Sequence, residues 1–203
     1  FITDRNGEWL QNLAGRPACL IEFLHGVSVT QPSSTQAKAV GVALGQMHAA
    51  LASFEQQRPN SLGISSWRHL AEQCTASGLD QISDGLAKRV EAECDFLEQH
   101  WPRNLPLRGI HADLFPDNVL MLGDQVTGLI DFYFACTDAL GYDLAVTHSA
   151  WCFTTDGSEF QPELSANLLV GYDSAHAIDV PTRDALPLFF RGACLRFLLT
   201  RCY

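Results

Sequence analysis

Two stretches decide the fold: Gly109-Ile110-His111-Ala112-Asp113-Leu114-Phe115-Pro116-Asp117-Asn118-Val119-Leu120-Met121 and Gly128-Leu129-Ile130-Asp131-Phe132-Tyr133. They hold the densest clusters of polar side chains set among apolar neighbours. Leu122-Gly123-Asp124-Gln125 reads as a turn joining strands expected at 118–121 and 126–130. Asn118 and Asp131 average to position 124.5, so a bulge-free hairpin centred there would set them opposite each other. Directly opposed residues have Cβ atoms about 4.5–5.5 Å apart. An amide oxygen and a carboxylate then converge at the mouth of the hairpin, with Asp113 arriving from the preceding loop. Hard oxygen ligands of this kind suit Mg²⁺, which takes one or two carboxylates and fills its other positions with phosphate and water.

Outward from this unit the chain changes character. Toward the N-terminus, Asn6-Gly7 signals a hairpin and Ala18-Cys19-Leu20-Ile21-Glu22-Phe23-Leu24 reads as an apolar strand ended by Gly26. Ser33 and Ser34 offer caps for a helix over about 35–54, with Val40, Ala43, Leu44, Met47 and Leu51 on one face. His48 lies on that stripe and is expected as a hydrogen-bonded core histidine rather than a ligand. Residues 55–66 read as a loop. A helix over about 80–101 follows, with Ile82, Leu86, Val90, Leu97 and Trp101 at helical spacing and Pro102 and Pro106 closing it. Beyond Asp143 helices are expected near 143–152, 162–172 and 183–203. Trp9, Trp67, Trp101 and Trp151 are expected as packing residues.

Composition narrows the function classes. The 203 residues are 47% hydrophobic and 18% charged, with 13 Lys+Arg against 23 Asp+Glu and a net charge of −10. That balance excludes a disordered chain and argues against a nucleic-acid surface, which needs clustered basic residues. Seven cysteines without a C-x-x-C pair favour free thiols in a reducing, cytoplasmic compartment over zinc or disulfide chemistry. No run of roughly 18–20 apolar residues could span a bilayer, so no membrane partner is expected. A chain that opens on Phe1 reads as part of something longer.

The spacing resembles the catalytic core of the protein-kinase-like phosphotransferases. His111-Ala112-Asp113-Leu114 with Asn118 five residues beyond the aspartate follows H-x-D-L-x-x-x-N, and Ile130-Asp131-Phe132 resembles the D-F-G position. The resemblance implies that Asp113 accepts or orients the proton of the acceptor hydroxyl. It implies that Asn118 and Asp131 hold Mg²⁺ on the phosphates of ATP, and that His111 shapes the loop. Ala112 replaces the arginine common in protein kinases, Tyr133 replaces the D-F-G glycine, and no A-P-E segment follows. Instead Asp138-Ala139-Leu140-Gly141-Tyr142-Asp143 resembles the D-x-A element of the aminoglycoside/choline kinase group, where the aspartate matching Asp143 braces the catalytic loop. Longer wording, including Ala150-Trp151-Cys152-Phe153, Leu13-Ala14-Gly15-Arg16-Pro17-Ala18 and Arg191 to Leu199, is similar to the bacterial homoserine kinases of that group and covers nearly the whole chain.

An α+β, protein-kinase-like fold is thereby implied, with residues 1–24 as the end of an N-terminal β lobe and hinge and 25–203 as the helical lobe carrying the catalytic loop. Backbone groups at Glu22, Phe23 and Leu24 would meet adenine. The sequence has no phosphate-covering loop and no strand lysine with a helix glutamate before residue 18, so activity is expected of the parent protein rather than of this stretch alone. The implied reaction is phosphorylation of L-homoserine by ATP, a step toward threonine. An aminoglycoside, choline or another small alcohol is the alternative acceptor, and a non-catalytic nucleotide-binding module the alternative class. Arg191, Arg196 and Arg201 are candidate partners for an acceptor carboxylate, and Asp117 and Asp138 for its ammonium group.

Overall fold

The computed structural model describes residues 1–202, with Ser77 by its backbone alone. Tyr203, the last residue of the expected C-terminal helix, lies outside the described residues. Six short strands and seven helices follow one another: β1 (Gln11–Leu13), β2 (Arg16–Ala18), α1 (Ser34–Ala50), α2 (Ile64–Gln73), α3 (Ala76–Ile82), α4 (Leu86–His100), β3 (Leu107–Ile110), β4 (Val119–Leu122), β5 (Gln125–Leu129), β6 (Cys136–Ala139), α5 (Leu140–Trp151), α6 (Pro162–Ala175) and α7 (Val180–Cys202). The strands form three separate antiparallel pairs, β1–β2, β3–β6 and β4–β5. The α+β expectation stands.

Helix α5 is the axis of the molecule. Its residues from Gly141 to His148 are all buried, as a helix apolar on every side must be. Tyr142, Ala145 and Val146 face one apolar cluster with Trp67, Leu97, Ile110 and Phe189. Leu144 and Trp151 face a second, with Val40, Leu44, Leu114, Met121 and Leu168. The two clusters leave α5 fixed from both sides, which matters because it carries Asp143. Helix α1 starts at Ser33 with a capping box in which Ser33 and Gln36 exchange side-chain and backbone bonds. It packs on α6 at backbone distance: a Cβ on Gly41 would lie 2.1 Å from the Leu168 carbonyl oxygen. No helix among the described residues is long and apolar enough to cross a membrane.

Several expectations are corrected. The loop read over 55–66 ends at Gly63, α2 and most of α3 fall where no element was expected, and the helix read over 80–101 is the end of α3 followed by α4. Gly63 opens α2, and Trp67 is buried with its indole N–H on the Leu62 carbonyl at 2.8 Å. The apolar spacing continued through Ser83-Asp84-Gly85, but Gly85 takes φ +69°, which ends helical repetition and leaves Ile82 exposed. At the N-terminus the hairpin turns at Ala14-Gly15 rather than Asn6-Gly7, whose turn lies between Asp4 and Glu8. Residues 19–24 are not a strand: only Leu20 pairs, in a single bridge with Ile2, because no neighbouring strand offers a ladder. Trp9 is half exposed against Phe1 rather than packed in a core. Strand β6 was not expected; it pairs Leu107 with Ala139 and Arg108 with Asp138.

The hairpin register is also corrected. Val119 pairs with Leu129 and Leu120 with Gly128, but Met121 pairs with Val126, so Thr127 is an extra residue in β5. Such a bulge offsets everything beyond it by one. The turn pairs Leu122 with Gln125, which without the bulge would set Asn118 opposite Leu129; with it Asn118 stands opposite Ile130, whose N–H donates to its carbonyl at 3.0 Å, and Asp131 is the next residue along.

Candidate active site

Asp113 sits in the loop between β3 and a 3₁₀ turn at Pro116–Asn118. The preceding residue, Ala112, holds φ +63°, a left-handed conformation uncommon for a side chain with a Cβ. It persists because both of its peptide groups are gripped. The Ala112 N–H donates to Asp143 Oδ1 at 2.7 Å and the His111 N–H to Asp143 Oδ2 at 2.8 Å. The Ala112 carbonyl accepts from Arg196 Nη1 on α7. Asp143 also meets His48 Nε2 at 2.9 Å, while the other ring nitrogen of His48 meets the Tyr172 hydroxyl at 2.8 Å. His48 is thus a hydrogen-bonded core residue, as expected. Burial would push the Asp143 carboxyl up, yet the bonds from His48 and the His111 backbone hold it below the usual carboxylate value.

The Asp113 carboxylate is held from two sides. Arg196 Nη2 donates to Oδ1 at 3.1 Å. Asn118 Nδ2 donates to the Asp113 carbonyl at 2.8 Å and lies 3.4 Å from Oδ2. Burial raises the Asp113 pKa, with Arg196 and His111 opposing it. The result is a more basic carboxylate at the wall of a hollow of about 440 Å³, shared with Phe134, Arg196 and Phe197. His111 donates from Nε2 to the Ile130 carbonyl at 3.0 Å, tying the end of β5 to the loop, and its ring packs on Phe132. Asp131 follows in a left-handed conformation, φ +61°, with an exposed side chain that makes no hydrogen bond among the described residues.

These positions fit a divalent cation. The Asn118 amide nitrogen is spent on Asp113, so its Oδ1 remains as the donor to a ligand, and the Asp131 carboxylate is unengaged. Both are hard oxygens. Among the described residues no group of three or more His, Cys, Asp or Glu side chains could hold a metal ion by itself.

Glu22, Phe23 and Leu24 are exposed and cross the β4–β5 hairpin. Leu24 lies over Gly128, the His25 carbonyl accepts from the Thr127 hydroxyl, and Val27 pairs with Met121. The expected hinge and the expected metal ligands therefore share one hairpin. The acceptor candidates scatter. Arg191 is engaged by Glu93 in a bidentate pair at 2.7 and 2.6 Å on the α4–α7 face. Asp138 accepts from Asn60 at 2.7 Å and from the Ala139 N–H at 2.8 Å. Burial raises its pKa. Arg196 is buried on the Asp113 loop, a contact with no sequence signal because the two partners lie 83 residues apart. Asp117 and Arg201 both face a cleft of about 660 Å³.

The chain matches the APH phosphotransferase enzyme family over residues 4–178. It is 52% identical over 200 residues to a homoserine kinase of Nitrobacter hamburgensis, covering 98% of this chain and 61% of that protein. A homoserine kinase of Methylobacterium radiotolerans is 48% identical over 200 residues, covering 98% and 62%. The chain thus spans about three fifths of the length of these curated relatives. Among solved structures, an aminoglycoside phosphotransferase from Alicyclobacillus acidocaldarius superposes with a TM-score of 0.70 at 16% identity, covering 98% of this chain and 65% of that one. The likeness identifies the fold.

Proposed function

The chain belongs to the phosphotransferase enzyme family, and from that premise we propose that it carries the catalytic lobe of an ATP-dependent kinase for L-homoserine, yielding O-phospho-L-homoserine on the way to threonine. Residues 1–24 then serve as the end of the nucleotide-binding β lobe and hinge, and 25–203 as the lobe that holds catalytic loop and acceptor. A reducing, cytoplasmic setting suits seven cysteines that are all unpaired thiols. The acceptor comes from the relatives near 50% identity that bear the homoserine kinase name.

The observation that carries the chemistry is Asp113: a carboxylate made more basic by burial, fixed in one rotamer by Arg196 and Asn118, on a loop whose backbone Asp143 immobilises. As the acceptor oxygen bonds to the γ-phosphorus, its proton passes to Asp113. The bond from phosphorus to the β–γ bridging oxygen breaks with its electron pair leaving on ADP. Such transfers depend on positioning and charge stabilisation more than on covalent chemistry, which is why a rigid loop serves them. Asn118 Oδ1 and the Asp131 carboxylate would hold Mg²⁺, whose charge offsets that of the triphosphate. His111 keeps Asp131 in reach by bonding the residue before it.

In the full-length gene product, ADP release should depend on L-homoserine and not on kanamycin or choline. Asp113→Asn should lower kcat by about 100- to 10,000-fold with the thermal midpoint nearly unchanged. Turnover of kanamycin or choline in place of L-homoserine would redirect the assignment of the acceptor, and an active Asp113→Asn enzyme would remove the base.

A further inference from the structure

Of the three candidate arginines on helix α7, two are already engaged. Arg191 is closed by Glu93. Arg196, buried, is divided between the Ala112 carbonyl and Asp113. Arg201 is different. It is exposed and forms neither a hydrogen bond nor an ion pair among the described residues; its guanidinium lies 5.2 Å from the ring centre of Phe197 and 5.8 Å from that of Phe115. Those same two rings and Arg201 form the wall between the 440 Å³ hollow that holds Asp113 and the 660 Å³ cleft that holds Asp117.

Asp117 is the counterpart. Its side chain is exposed and unpaired among the described residues, while its backbone carbonyl accepts from the Ser28 hydroxyl at 3.2 Å. The other carboxylate of that cleft, Asp156, is consumed by Thr154 and Ser158, whose bonds hold its pKa at about 2. Among the described residues the cleft therefore offers one free cation and one free carboxylate, which are not paired with each other, and it adjoins the carboxylate that would take the proton.

We infer that Arg201 reads the carboxylate and Asp117 the ammonium group of a zwitterionic hydroxy-amino-acid acceptor whose hydroxyl is delivered to Asp113. The inference rests on the phosphotransfer reading above and narrows it to the residues that choose the acceptor. A guanidinium packed on aromatic faces keeps its N–H edge open for a bidentate carboxylate. Asp113 repels that carboxylate, so only the hydroxyl end of the acceptor can approach it. A polycationic aminoglycoside is disfavoured by Arg201, and choline gives Arg201 nothing to bind. Discrimination of this kind comes from charged groups left unpaired by the wrong acceptor.

The test uses the full-length enzyme and three acceptors: L-homoserine, 3-aminopropan-1-ol, which lacks only the carboxylate, and 4-hydroxybutyrate, which lacks only the ammonium group. The wild-type enzyme should prefer L-homoserine to both. In Arg201→Met the preference over 3-aminopropan-1-ol should shrink by about 10- to 100-fold, through KM more than kcat, with Arg201→Lys between the two. In Asp117→Asn the preference over 4-hydroxybutyrate should shrink instead. Unchanged ratios in Arg201→Met, or in Arg201→Lys should the methionine variant fold poorly, overturn the inference while leaving the kinase reading intact. A wild-type enzyme that turns over no L-homoserine overturns the kinase reading and the inference with it.

Discussion

The Asp113 loop and the segment 19–27 meet on the same hairpin, and they are held in opposite ways. The loop contains a left-handed alanine and a half-buried carboxylate, yet His111, Ala112 and Asp113 are bound by side chains from α5, α7 and the 3₁₀ turn. The segment is rich in Leu, Ile and Phe, yet Leu20, Ile21 and Phe23 are 70%, 65% and 83% exposed. Its ties are the Leu20–Ile2 bridge, backbone pairing at Val27, the Thr127 hydroxyl on the His25 carbonyl, and Leu24 resting on Gly128. Read as composition, the segment is the better core strand. Read as structure, the loop is the fixed part, because its backbone groups and the Asp113 carboxylate are hydrogen-bonded to residues distant in sequence. Order here follows satisfied hydrogen bonds more than local hydrophobicity.

The sharpest way to break that contrast is to remove the brace. Asp143→Ala would leave two backbone N–H groups and His48 buried without their acceptor. Removing one partner of a buried, hydrogen-bonded charge costs about 3–5 kcal/mol, so urea unfolding should show a loss of that order. Asp143→Asn, which keeps one acceptor oxygen, should lose less. A loss below about 1 kcal/mol for the alanine variant would mean that α5 and α7 hold the loop without Asp143.

A smaller effect is expected on the same helix five residues on. His148 is buried between the Ser165 hydroxyl, 2.7 Å from Nε2, and the rings of Phe160 and Phe190. Burial pushes its pKa from 6.5 down to about 4. The unfolded chain takes up a proton on this histidine below pH 6.5 and the folded protein does not. Stability from this group is therefore complete above that pH and declines as pH falls toward 4, by at most about 1.4 kcal/mol per unit. Unfolding free energies at pH 7 and pH 5 should differ by up to about 2 kcal/mol from this source. The difference should shrink in His148→Gln; an undiminished pH dependence would place its origin elsewhere.

What could be read from the sequence was what the chain brings together locally or by helical repetition. His111, Asp113, Asn118 and Asp143 fall within 33 residues, and their spacing sufficed to expect a shared site. The face of α1 was legible because Val40 and Leu44 recur at helical period and Ser33 caps them. The register of β4–β5 was not: the turn closes on Leu122 and Gln125, one position before the expected centre, and the bulge at Thr127 involves a hydroxyl that reaches the His25 carbonyl 102 residues away. Arg191, Arg196 and Arg201 looked alike at a spacing of five. Their separate fates were decided by Glu93, Ala112 and Phe115, none of which is near them in sequence. Long-range partners sort residues that composition makes equivalent.

The smallest effect concerns the segment itself, and it bears most directly on the contrast. Phe23 touches little beyond His25, whose ring it meets edge-on at 5.8 Å. A side chain this exposed contributes almost no burial, so Phe23→Ser on the 203-residue chain should change unfolding free energy by no more than about 0.5 kcal/mol. The substitution also removes an apolar group from the unfolded state, which offsets part of even that. Amide exchange should agree: residues 19–24 should exchange close to the unprotected rate, whereas Ala112, whose N–H is buried on Asp143, should exchange only with global opening. If Phe23→Ser cost more than about 1 kcal/mol, or if residues 19–24 were protected like the loop, the segment would be packed in solution. Hydrophobic composition would then have been the better guide to order in this part of the molecule.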